Sequence, residues 1–120
     1  MTIASANYRI MAGAKSAYVD DCVAERYIGS NYDIVEDLTL QLPDDLRDFN
    51  KKYIPVFMTN VPGKSKVAAG LACGMLWTTC KRLEEGDIIL SPTGTGSYYV
   101  GQVTGPYYYA PGTNLPHRRP

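Results

Sequence analysis

The residues with the clearest capacity for chemistry are flat rings and cations. Tyr27, Tyr32, Trp77, Tyr98, Tyr99 and the triplet Tyr107–Tyr108–Tyr109 accompany Lys64 and Lys66 beside a helix start and Arg118 and Arg119 near the last residue. Rings of this kind can stack on another planar ring, and stacking a nucleobase on an aromatic side chain contributes about 1–3 kcal/mol per base. Lysine and arginine beside them could hold phosphate. Each tyrosine taken singly also fits a plainer role, packing a sheet while its hydroxyl reaches water.

Other chemistries lack their parts. "PGKS", Pro62 to Ser65, precedes a helix, but a phosphate-binding loop needs glycine five residues before Gly63, where Met58 stands. Gly94 and Gly96 sit in "TGTG", a hairpin tip with no helix behind it, so a dinucleotide fingerprint fails on context. There is no G-x-S-x-G elbow, no zinc-ligand helix and no carboxylate two residues before a lysine of the kind metal-dependent nucleases carry. Asp20/Asp21 and Asp44/Asp45 suit helix surfaces and starts. Cys22, Cys73 and Cys80 form no C-x-x-C pair and read as buried free thiols, and a single histidine, His117, leaves a zinc site without ligands. The residues thus suggest a binding domain that is not an enzyme and needs no metal or cofactor.

Composition bounds the setting. A chain of 120 residues fits one domain, and 45% hydrophobic with 20% charged residues is ordinary for a globular protein. Net charge is zero but unevenly spread: nine acids face four bases in residues 1–50 (net −5), and three acids face eight bases in residues 51–120 (net +5). A polyanion-facing side is compatible with that distribution. No apolar run spans a bilayer and "MTIASANYRI" lacks the features of a signal peptide, which makes the cytoplasm the default expectation, with no membrane partner.

The elements that must position these residues follow from pattern. "NYRIMAG" alternates and predicts a strand over Tyr8–Met11; Ser16 is expected to cap a helix to about Arg26 with Val19, Cys22 and Val23 on one face. "YIGSNYDI" reads as a short strand. A helix opens after Pro43 with Leu46, Phe49 and Tyr53 on one side and is expected to stop before Pro55. Ser65 caps the longest helix, to about Arg82. Val67, Leu71, Met75 and Leu76 form one stripe on it and Cys73, Trp77 and Cys80 another, which predicts burial on two sides, with a neighbouring element lying against Gly70 and Gly74. "DIILSP", "YYVGQVT" and the tyrosine triplet supply strands. The expected class is α+β, a small curved sheet or barrel around one long helix, with about three helices.

The order of these pieces resembles a known family. "YRIMAG", "YIGSNYDIVEDL", "GKSKVAAG", "EEGDIILSP", "YYVGQVTGPYYY" and "LPHRR" are similar to the N-terminal domain of Mrr-type, modification-dependent restriction endonucleases, over nearly the whole chain. That resemblance implies a PUA-like fold akin to EVE and YTH modules, one domain over residues 1–120, and recognition of a modified base flipped from double-stranded DNA. The base would be methylated or hydroxymethylated cytosine, or methyladenine. It implies a base pocket at Tyr27, Ser30, Asn31, Tyr32, Asp33, Trp77, Tyr107, Tyr108 and Tyr109, and DNA-backbone contacts at Lys64, Ser65, Lys66, His117, Arg118 and Arg119. It further implies a C-terminal nuclease domain as partner in the full-length protein, absent from this chain. Tyr32 stands where relatives often carry the tryptophan of "IGW". The alternative is a PUA-like protein-interaction or small-ligand domain without DNA specificity. A concave arrangement of the rings favours a base reader, and a flat exposed aromatic patch favours a protein partner.

Overall fold

The computed structural model describes residues 6–13 and 16–120. It is an α+β arrangement of three helices and two three-stranded sheets. The first sheet holds β1 (Asn7–Arg9), β3 (Ile88–Pro92) and β4 (Tyr98–Gln102) in the order β1-β3-β4, with β1 parallel and β4 antiparallel to β3. Gly94 and Gly96, at φ of 90° and 91°, turn the chain between β3 and β4, as the "TGTG" hairpin reading requires. The second sheet puts β6 (His117–Arg119) between β2 (Ile28–Ser30) and β5 (Tyr108–Tyr109), both antiparallel to it. A hydrogen bond from Thr104 N–H to the Pro120 carbonyl, 2.9 Å, ties the sheets together. The α+β class is as expected, and the strands of the expected small curved sheet or barrel are divided between these two sheets.

Helix α1 (Val19–Glu25) starts later than the sequence suggests. Ser16 is buried at φ 59° and caps nothing; Tyr18 precedes the first helical residue without a side-chain cap. Val23 is 47% exposed, so only Val19 and Cys22 of the expected face enter the core. Helix α2 (Leu46–Asn60) is capped by Asp45, whose carboxylate accepts from Arg47 N–H at 2.9 Å. It does not stop at Pro55. The proline ring faces solvent, and the helix continues because Phe57, one turn further on the Phe49–Tyr53 side, is buried. An interior proline costs about 3 kcal/mol, and burying a phenylalanine returns about as much.

Helix α3 (Lys66–Trp77) begins as expected, with Ser65 Oγ accepting from Ala68 N–H at 3.1 Å, and runs on as a π-helical turn over Thr78–Arg82. Ile54 and Leu46 of α2 lie 3.9 and 4.0 Å from where a Cβ would sit on Gly70 and Gly74, so the expected neighbour is there. Burial on two sides is not. Ala69, Cys73, Leu76 and Trp77 are buried against α2, whereas Val67 and Leu71 are 75% and 69% exposed and Met75 is exposed too, because no described element covers that side.

Two cores result. One is helical, built on Phe49, Tyr53, Cys73, Leu76 and Trp77; the other lies under the first sheet and α1, built on Ile10, Val19, Cys22, Tyr27 and Ile89. All three cysteines are free and buried. Among the described residues no helix is long and apolar enough to cross a membrane.

Candidate functional site

The tyrosine triplet divides by strand alternation. Register places Tyr109 opposite His117 and Ser30, and Tyr108 opposite Arg118 and Gly29, so the two tyrosines point to opposite faces of the second sheet. Tyr109 leans on the His117 ring at 5.3 Å, and Tyr107 stacks on it at 5.9 Å with 20° between planes. The space between Tyr107 and Tyr109 is therefore filled by protein.

His117 is fully buried, and its two nitrogens fix a proton pattern. Nε2 lies against the Ile34 carbonyl, which can only accept, so Nε2 carries the hydrogen. Nδ1 is then an acceptor, and the Tyr107 hydroxyl donates to it at 2.8 Å while accepting from Leu38 N–H at 3.1 Å. Burial holds the histidine below its ordinary pKa and pushes the Tyr107 hydroxyl up, both consistent with a neutral chain of donors. The network pins the segment carrying Ile34 and Leu38 onto β6.

The expected base pocket does not assemble. Trp77 is buried and donates from Nε1 to the Pro43 carbonyl at 2.9 Å. Tyr32, at φ 50°, packs half-buried against the helical core, and Ser30 is buried with its hydroxyl on Thr79. Asn31 reaches the Asn114 carbonyl at 3.3 Å, and its Oδ1 accepts from Asp33 N–H at 3.1 Å. Asp33 is exposed at φ 56°, with Asn60 donating to its carbonyl. Tyr27 belongs to the other core. Core packing claims the rings first: Trp77 and Tyr32 close the helical core and Tyr27 the other.

The expected backbone contacts separate too. Lys64, Ser65 and Lys66 are exposed, although Ser65 spends its hydroxyl on the helix cap. Arg118 is half-buried, its guanidinium 3.8 Å above the Tyr27 ring and its Nε on the Leu115 carbonyl at 2.7 Å. His117 and Arg119 must be corrected. Arg119 is buried and donates to the carbonyls of Gly105 at 2.9 Å, Leu83 at 2.6 Å and Thr79 at 3.4 Å, closing the end of the π-helical turn. His117 has no donor free for phosphate, and Arg119 commits its Nε and Nη1 hydrogens to main-chain carbonyls. A central strand position buries both, which a basic "PHRR" ending does not reveal.

The open space lies elsewhere. A groove of about 410 Å³ runs between α1 and β4, floored by Ile28, Ile89 and Val103. Val19, Val23 and Arg26, at helical spacing, form one wall; Tyr99 and Gly101, at strand spacing, form the other, and Tyr27 closes the inner end. The Tyr99 hydroxyl donates across to Asp20 at 3.3 Å. Its size falls within the range of about 300–1,000 Å³ usual for small-ligand sites, and an apolar lining with few polar groups is the usual character of such sites. Burial keeps the Cys22 thiol protonated and pushes the Tyr27 hydroxyl up to about 12, so the groove offers apolar and stacking surface. No metal-binding cluster exists among the described residues. Of the residues expected in the pocket, Tyr27 alone lines this groove, and of the expected backbone contacts only Arg119 does. Tyr99 belongs to the aromatic set that the sequence shows; its role follows from the match between Tyr99-Gly101-Val103 alternation and the α1 stripe.

No known family model, curated protein or solved structure matches the chain.

Proposed function

We propose that this domain reads a modified base in double-stranded DNA and that the base enters the α1–β4 groove. The observation that carries the reading is the groove: an apolar slot lined by Tyr27 and Tyr99, with exposed Arg26 among its lining residues. A base turned out of the duplex gains stacking against Tyr99, and its added methyl or hydroxymethyl group displaces water from apolar surface. One buried methyl supplies only about 0.8 kcal/mol, so polar groups at the rim must add discrimination. Exposed Lys64, Lys66 and Arg26 supply phosphate attraction that weakens with salt. The PUA-like fold, the restriction setting and the nuclease partner belong to the same proposal and rest on the sequence resemblance.

Fluorescence anisotropy with duplexes carrying one methylated or hydroxymethylated cytosine, or one methyladenine, against the unmodified duplex tests it. Preference for one modified duplex is expected, with Tyr99→Ala weakening that binding by about tenfold, the scale of one lost stacking contact. Equal affinity for all duplexes at every salt concentration refutes it. A protein-interaction reading has its own support in β4, whose five residues are all exposed.

A further inference from the structure

The outer edge of β4 is an unpaired strand edge among the described residues. Ser97 C=O accepts from Thr93 N–H and Val103 N–H donates to Asp87 C=O, so odd-numbered residues of this strand face β3. Alternation then turns the N–H and C=O groups of Tyr98, Val100 and Gln102 outward. The next residue of that outward series, Thr104, has its N–H on Pro120. Among the described residues β4 pairs with β3 alone, so the three before it have no strand partner.

Free edges are normally blunted by charge, proline or a bulge. This one has none of them. No Asp, Glu, Lys or Arg occurs between Asp87 and Arg118, and the β3–β4 register is unbroken from Ile88↔Gln102 to Pro92↔Tyr98. Tyr98 and Val100 are 51% and 69% exposed.

We propose that β4 pairs antiparallel with β4 of a second copy of this chain, the two-fold axis passing at Val100. The strand is its own complement in that register. Val100 meets the partner's Val100 and Tyr98 meets the partner's Gln102, each an outward-facing pair that can exchange two main-chain hydrogen bonds. Tyr99 meets the partner's Gly101. A Cβ on Gly101 would have no atom within 4 Å, so an aromatic ring from the second copy has room to lie there, and a cross-strand aromatic beside an edge glycine is a recognised stabilising pair. An uncharged strand meets its copy without repulsion, whereas a charged foreign strand would find no counter-charge. Gly101 lines the groove, so the second copy brings its Tyr99 to the rim of that site and the two grooves open on one side of a continuous six-stranded sheet.

Light scattering after size exclusion should show a species of twice the 13.2 kDa chain mass as concentration rises. Val100→Pro removes an outward donor while leaving the β3 bonds, and should weaken the dimer at least about tenfold. Val100→Lys serves if the proline variant misfolds by circular dichroism. Register is tested by cross-linking: Cα atoms of an exchanged pair lie about 5.5 Å apart, within disulfide reach. Oxidised Val100→Cys should cross-link to itself; Tyr98→Cys should not, but should cross-link when mixed with Gln102→Cys. A monomer up to about 1 mM, a dimer indifferent to both Val100 variants, or self-cross-linking of Tyr98→Cys as efficient as that of Val100→Cys would overturn the proposal. None of these measurements involves DNA, so the outcome is independent of the base-reading proposal.

Discussion

Replacing Tyr107 with phenylalanine removes one oxygen and keeps the ring. That oxygen accepts from Leu38 N–H and donates to His117 Nδ1, and His117 cannot change tautomer to compensate because Nε2 must keep its hydrogen on the Ile34 carbonyl. Two partly or fully buried groups are left without partners, each costing about 1–2 kcal/mol, for a total of about 2–4 kcal/mol. In a domain of this size the melting temperature should fall on the order of 10 °C. Urea denaturation followed by circular dichroism measures the loss, and Tyr109→Phe is the matched control. Tyr109 makes the same kind of ring contact with His117 but its hydroxyl has no hydrogen bond among the described groups, so its variant should cost under about 0.5 kcal/mol. The base-reading proposal predicts the same DNA affinity for Tyr107→Phe as for the parent below the melting transition, since the groove is lined by other residues. Equal costs for the two variants would refute the network, and the tautomer itself can be read from the His117 ring nitrogen shifts in NMR.

Two further outcomes follow from the same contacts. Burial holds His117 below its ordinary value of 6.5, so the unfolded chain binds more protons as pH falls through that value. Its stabilising contribution is complete above about 6.5 and is lost progressively down to the folded pKa. Melting temperature should therefore drop between pH 7.5 and 5.5, and His117→Gln should flatten that part of the profile while lowering stability throughout. Pro55→Ala restores a main-chain donor inside α2 and should stabilise by about 1–2 kcal/mol after the lost rigidity of the unfolded chain is subtracted, measured as a rise in the urea midpoint; a lower midpoint would show that the helix is adapted to the proline.

The ordering of elements was legible locally. Ser65 followed by an apolar helical run, the glycines between two alternating strands, and isolated cysteines in apolar patterns each carry their meaning within a few residues, and the helix cap, the hairpin and the free buried thiols are all present. Burial was not legible in the same way, because it depends on what covers a face. Val67 and Leu71 have the spacing of a core stripe and lie exposed, while His117 and Arg119 have the look of a basic surface tail and sit inside a three-stranded sheet. The aromatic residues show the same division. Their chemistry is a property of the sequence, but Trp77 and Tyr107 were drawn into the helical core by long-range packing, and Tyr99 became a groove wall only because β4 happens to face α1. Periodicity fixes which side chains share a face; only the tertiary contacts of distant segments decide whether that face meets protein, water or ligand.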